Sequence, residues 1–166
     1  NSRVSFDGLA IGPEGLLYGA PYSGGGGGLI MIWDPETKKH VGNIHNVGRI
    51  TAMVFGPDGF LYTGDSGLNT IEIYQPLTRD ELKNKRDCRR ECYVGSLRNS
   101  GRVTALAFAP DGLLYSGWYG GNSINIWNPQ TKDYYNQKQL GTIQNSGRVR
   151  ALAFGADGLL YSGNAQ

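Results

Sequence analysis

Three short segments of this chain end in an arginine: Asn46-Val47-Gly48-Arg49, Asn99-Ser100-Gly101-Arg102 and Asn145-Ser146-Gly147-Arg148. An amide and a guanidinium three residues apart can orient a polar or anionic ligand through hydrogen bonds. A second set of segments carries aromatics and hydroxyls among glycines: Tyr22 ahead of five glycines, Asp65-Ser66, and Trp118-Tyr119-Gly120-Gly121-Asn122. Such rings offer an apolar platform beside the polar groups. The candidate ligand-binding residues are therefore Asn46, Arg49, Asn99, Arg102, Trp118, Tyr119, Asn122, Asn145 and Arg148. A plainer reading competes at the Asn and Arg positions. Asn-Gly and Ser-Gly are turn formers, and the arginines have Asp58, Asp111 and Asp157 as prospective ion-pair partners. Trp118 and Tyr119 lean towards binding, because large rings in a glycine-rich loop have little local core to fill.

Catalytic patterns are weak. Gly64-Asp65-Ser66-Gly67 has the form of a serine nucleophile segment, but nothing in the sequence pairs His45 with it as a base. Gly24 to Gly28 lacks the Gly-Lys-Ser/Thr ending of a phosphate loop, and no helical pattern follows. No repeated carboxylate pair suits acid–base work on a sugar. No catalytic residue, cofactor or metal is assigned. Cys88, Cys92, His40 and His45 give no reason to converge as the roughly four ligands a metal site needs. Two cysteines are too few for a disulfide framework. With three residues between them they can close a small loop, and that bridge would favour an extracellular setting.

The 166 residues carry a net charge of +2, too small to argue for nucleic acid or an anionic membrane. No apolar run approaches the ~20 residues of a membrane span. The chain opens at Asn1 with no leader-like segment, as expected of a processed or partial chain. Glycine at 26 and tyrosine at 10, with 18% charged residues, read as short strands and tight turns.

The scaffold that must hold these segments is written as a repeat. Gly48 to Gly64 returns almost unchanged from Gly101 to Gly117 and from Gly147 to Gly163, and a degraded copy runs from Arg3 to Gly19. The repeats span about residues 1–46, 47–99, 100–145 and 146–166, the last incomplete, within a single domain. In the third unit the expected strands are Val103 to Phe108, Leu113 to Ser116, Ser123 to Trp127 and Leu140 to Ile143. They are too short for helices and are divided by Pro110-Asp111-Gly112 and Asn128-Pro129. Val103, Ala105 and Ala107 make one face of the first strand apolar, and Leu106 and Phe108 the other. A strand apolar on both faces must be covered on both sides. Radial stacking of small sheets does this, so the expected fold is an all-β propeller of four-stranded antiparallel blades, about three and a half in this chain.

Phe108-Ala109-Pro110-Asp111-Gly112, Ser116-Gly117, Ile126-Trp127-Asn128, Ile32-Trp33-Asp34 and, more weakly, Ile73-Tyr74-Gln75 resemble the WD-repeat family. That resemblance implies the propeller fold over nearly the whole chain. Trp33, Trp127 and Tyr74 recur at one strand position, which reads as core packing rather than function. The family's histidine is replaced by Asn46, Asn99 and Asn145, so its buried His-Asp-Ser-Trp network is expected to be absent or rewired. Lectin propellers with near-identical blades are similar in organisation.

Both loop sets, from last strand to next first strand and from second strand to third, fall on one face of such a disc. The leading functional expectation is a non-catalytic recognition module presenting that face to protein partners. The alternative is a multivalent lectin with one weak sugar site per blade, and a propeller enzyme comes third. The half-blade leaves an exposed edge, which reads as a shared ring between chains, part of a longer propeller or a small four-bladed monomer. The insertion from Arg79 to Cys92, with six basic and four acidic residues, reads as a solvated excursion with one helical turn rather than a docking element.

Overall fold

A computed structural model of the chain describes residues 5–22, 28–45, 48–85 and 87–165. Each repeat opens with a strand pair: β1 (Phe6–Ile11) with β2 (Leu17–Pro21), β5 (Ile50–Phe55) with β6 (Leu61–Asp65), β10 (Val103–Phe108) with β11 (Leu114–Trp118), and β14 (Arg148–Phe154) with β15 (Leu160–Ala165). The turn chemistry explains the pairing. Gly59, Gly112 and Gly158 have φ of 80°, 85° and 77°, a conformation only glycine takes without strain. The turn aspartates then satisfy the backbone beyond them. Oδ1 of Asp58, Asp111 and Asp157 accepts from the N–H of Phe60, Leu113 and Leu159. Asp58 and Asp157 also accept the hydroxyls of Tyr62 and Tyr161, at 2.7 and 2.8 Å. The expected pairing of these aspartates with the repeat arginines is thus replaced by local bonds, because each turn supplies its own nearer donors.

Two further strands complete each of the first three sheets: β3 (Leu29–Asp34) and β4 (Lys39–His45), β7 (Thr70–Tyr74) and β9 (Tyr93–Arg98), β12 (Ser123–Trp127) and β13 (Gly141–Gln144). Neighbours run antiparallel in the orders β1-β2-β3-β4, β5-β6-β7-β9 and β10-β11-β12-β13, with β14-β15 as a fourth, two-stranded sheet. The sheets are separate, as the propeller reading requires.

The innermost strands β1, β5, β10 and β14 lie side by side on consecutive blades. One joint recurs three times. Tyr18 meets Phe55, Tyr62 meets Phe108 and Tyr115 meets Phe154, edge to face, with centroids 5.0, 5.0 and 5.1 Å apart. Each such pair contributes about 0.5–1.5 kcal/mol beyond its area. Leu106 is 8% exposed, covered on the face that an isolated sheet would leave wet. Every first strand also carries a register shift near its start. A bulge re-aims a side chain, and at two of them Thr51 and Thr104 donate to the carbonyls of Val103 and Val149 in the next blade.

The insertion is more than a solvated excursion. Helix α1 (Arg79–Asn84) has a complete capping box, with Thr78 and Glu81 bonded reciprocally. Leu82 is buried, and the Arg79 guanidinium bonds both oxygens of Asp34 at 3.0 and 3.4 Å while the backbone N–H of Arg79 donates to the Glu14 carboxylate. β8 (Asp87–Cys88) then joins β4 in parallel as a fifth strand of the first sheet, and a disulfide links Cys88 to Cys92. Among the described residues of the insertion, the charged side chains other than Arg79 are exposed, while Leu82, Cys88 and Cys92 dock it against blade 1.

Candidate functional site

The two loop sets meet on one face, tied by backbone bonds. Tyr22 N–H donates to Ser5, Ser66 to Arg49 and Tyr119 to Arg102, while Asn99 N–H donates to Asn69 and Asn145 to Asn122. Within this frame the repeated Asn-x-Gly-Arg segment divides into three jobs.

Asn99 faces inwards and is 6% exposed. The register places Ser116 opposite Asn125, two strands from Asn99. Asn99 Oδ1 accepts from the Ser116 hydroxyl at 3.1 Å and from Asn125 Nδ2 at 2.9 Å. Trp127 Nε1 donates to the Ser116 oxygen at 2.9 Å, and Asn99 Nδ2 donates to the Gly101 carbonyl. This is the rewired network: asparagine stands where the WD pattern has histidine, and Asn125 supplies the second amide. Asn145 repeats part of the arrangement, accepting from Ser162 and donating to the Gly147 carbonyl, and it also donates to Asn164 on β15. Asn46 lies outside the described residues. Trp127 and Tyr74 are 2% and 3% exposed and pack in the core; Trp33 is half-buried against Phe6 and His40.

The glycine makes room. A β-carbon on Gly101 would stand 2.5 Å from the Trp118 ring, and one on Gly48 would collide with the Asp65 carboxylate. Trp118 therefore ends β11 instead of floating in a loop. Its ring packs across Gly101 and Gly121, and its Nε1 donates to Ser123 at 3.2 Å. Asp65, the equivalent residue in blade 2, is fully buried and caps its own loop, with Oδ1 accepting from Gly67 and Leu68.

The arginine is the exposed member. Arg148 of blade 4 lies over the Tyr119 ring of blade 3, its guanidinium carbon 4.7 Å from the centroid, and its Nη1 reaches the Tyr119 hydroxyl at 3.1 Å. Arg49 of blade 2 lies over Tyr22 of blade 1 at 4.8 Å and 3.6 Å from the Asp7 carboxylate. Tyr22 and Tyr119 occupy the same loop position, which serine fills in blade 2, so among the described residues no ring lies beneath Arg102. Arg150 joins Arg148 on Tyr119, 5.8 Å from the centroid. Sequence reasoning missed Arg150 because it sits at the bulge, where Thr51 and Thr104 stand in the other blades. Tyr119 is 41% and Tyr22 51% exposed, and Asn122, three residues on from Tyr119 in the same loop, is exposed. The structure thus gathers Arg148, Arg150 and Tyr119 into one surface cluster, with Asn122 on the same loop as Tyr119. Asn99 goes to the core and Trp118 to the space between loops. Among the described residues no group of three His, Cys, Asp or Glu could hold a metal ion.

Comparisons with known proteins agree with this geometry. The family model for the WD domain, G-beta repeat, matches residues 91–128. Small ribosomal subunit protein RACK1 of Schizosaccharomyces pombe is 30% identical over 122 residues, covering 72% of this chain and 36% of that protein. MST50-interacting protein 11 of Pyricularia oryzae is 26% identical over 126 residues, covering 75% and 37%. The chain thus spans little more than a third of the curated relatives it matches. Among solved structures, Kuenenia stuttgartiensis hydrazine synthase superposes with a TM-score of 0.72 at 17% identity, over 98% of this chain and 42% of that one. A chain of the mitotic checkpoint complex gives 0.69 at 19%, over 96% and 46%. The Dos1 propeller gives 0.66 at 13%, over 95% and 39%. The chain is a WD-repeat β-propeller, whose described residues form three blades and the first two strands of a fourth.

Proposed function

We propose that this chain is part of a non-catalytic propeller that recognises protein partners through its loop face. The observation that carries the reading is the repeated arginine-over-tyrosine pair, Arg49 on Tyr22 and Arg148 on Tyr119. Arginine and tyrosine are the side chains that most often anchor protein interfaces. Here the ring holds the guanidinium in place while both remain open to a partner, so little side-chain freedom is lost on binding. The names of the relatives, a ribosomal subunit protein and a MST50-interacting protein, are those of proteins that work in association with others, which supports the same reading.

The test places a photo-crosslinking amino acid at Asn122 on the loop face and, separately, at Asp111 on the opposite face. Protein adducts that form from position 122 and vanish with Arg148→Ala support the reading. Equal adducts from both positions, or adducts indifferent to Arg148, reject it. Saturable binding of simple sugars that displaces no protein would favour the lectin alternative.

A further inference from the structure

A second feature lies away from the Arg-over-Tyr clusters. Arg89 and Arg90 sit within the loop that the Cys88–Cys92 disulfide closes. Both are exposed, and among the described residues neither guanidinium is in an ion pair. Their acidic neighbours are already engaged. Glu91 pairs with Lys85, and Asp87 accepts from Asn43 at 2.8 Å and lies 3.8 Å from His45. A loop anchored by β8 and the disulfide carries two exposed guanidinium groups, of which Arg89 also acts on the Asp87 carboxylate.

Arg89, Arg90 and His45 line a cleft of about 570 Å3 between blades 1 and 2. Tyr74, Tyr93 and Leu68 line it as well, Leu68 being 55% exposed. Glu72 completes the lining, 5% exposed and taking the Thr70 hydroxyl at 2.5 Å. Burial pushes the Glu72 carboxyl above its ordinary range, against the hydrogen bonds from the Thr70 and Tyr93 hydroxyls, which pull it down. The volume is enough for a few side chains. His45 ends β4 and Leu68 lies between β6 and β7, so the cleft opens at the loop-face ends of both blades.

We propose that this cleft takes a short extended segment of a protein partner, whose acidic side chain reaches Arg89 and Arg90 and whose adjoining bulky apolar side chain covers Leu68 and Tyr93. The inference rests on the protein-recognition reading above and adds to it a separate site and the chemistry of its ligand. Charge complementarity selects the acidic group, and the bare leucine and tyrosine select its apolar neighbour.

The probe is a fluorescein-labelled Gly-Glu-Glu-Leu-Phe-Gly peptide, followed by anisotropy as the whole oxidised chain is titrated at low salt. The expected result is saturable binding that weakens about tenfold or more when both glutamates become glutamine, and equally in Arg89→Glu/Arg90→Glu. Leu68→Ser weakens it by a smaller factor. The arginines are exposed, so the thermal midpoint of the charge-reversed chain should match that of the unaltered one. Absence of saturable binding to the folded chain, or equal binding by the charge-reversed chain, overturns the proposal. A partner crosslinked from position 122 that still binds the Arg89→Glu/Arg90→Glu chain at full strength overturns the cleft alone and leaves the loop-face reading standing.

Discussion

Asn99 Oδ1 accepts two hydrogen bonds at once, from Ser116 and from Asn125, and so ties the loop before blade 3 to its second and third strands. A residue that looked like a ligand contact is thereby a structural one. Its neighbours on the face, Arg102 and Arg148, are left free of that duty.

Breaking this network should cost stability without altering the face. Ser116→Ala strips the Trp127 N–H of its acceptor and removes one donor from Asn99, both in the interior. A buried polar group left unsatisfied costs about 1–3 kcal/mol. The denaturant midpoint should fall accordingly, and more for Asn99→Ala, which removes three bonds. An unchanged midpoint in both variants would show that the network does not exist.

Gly117 should accept no larger residue while Val149 is present. A β-carbon there would run into the Val149 side chain of the next blade. Overpacking of this kind costs about 1–3 kcal/mol. Gly117→Ala should destabilise the chain, and Val149→Ala, though a loss by itself, should recover part of that cost in the double variant. Simple additivity of the two losses would contradict the blade-to-blade contact.

Glu72 and Asp34 should give pH dependences of opposite sign. Burial raises the Glu72 carboxyl above its usual range. The stability of its neutral form is complete below the unfolded value and is lost as pH rises through the folded one. Glu72→Gln should therefore be more stable than the parent near pH 7 and indistinguishable from it below about pH 4. The hydrogen bond from Arg79 lowers the Asp34 carboxyl. Its contribution is present above the unfolded value and is lost as pH falls through the folded one. Asp34→Asn should be less stable at neutral pH and converge with the parent in strong acid. Thermal midpoints from pH 3 to 8 check both.

Reducing the Cys88–Cys92 bridge should loosen the insertion. For so short a loop the expected loss is about 2 kcal/mol. A reductant should lower the thermal midpoint of the parent and leave Cys88→Ser/Cys92→Ser unmoved. Equal response in both would mean that the bridge does not form.

Much of the fold was legible in the sequence because the repeats are nearly identical. Strands greasy on both faces required blades, and Trp127 and Tyr74 recurred at one strand position. The site was less legible. The role of Asn99 depends on Ser116 lying opposite Asn125, a register that residue types alone do not display. Gly48 and Gly101 looked like turn formers, but their reason is the Asp65 or Trp118 side chain packed against them. Arg150 escaped because simple strand alternation has no place for a bulge. The insertion was misjudged because its charges outnumber the three side chains, Leu82, Cys88 and Cys92, that anchor it.

The most direct measurement is the affinity of the partner crosslinked from position 122 for the parent chain and for Arg49→Ala/Arg148→Ala, with thermal midpoints recorded in parallel. The account predicts binding weaker by about tenfold or more, with the midpoint nearly unchanged, because exposed cation–π pairs contribute only about 0.5–1 kcal/mol each to the fold. Undiminished affinity in a folded double variant would contradict it.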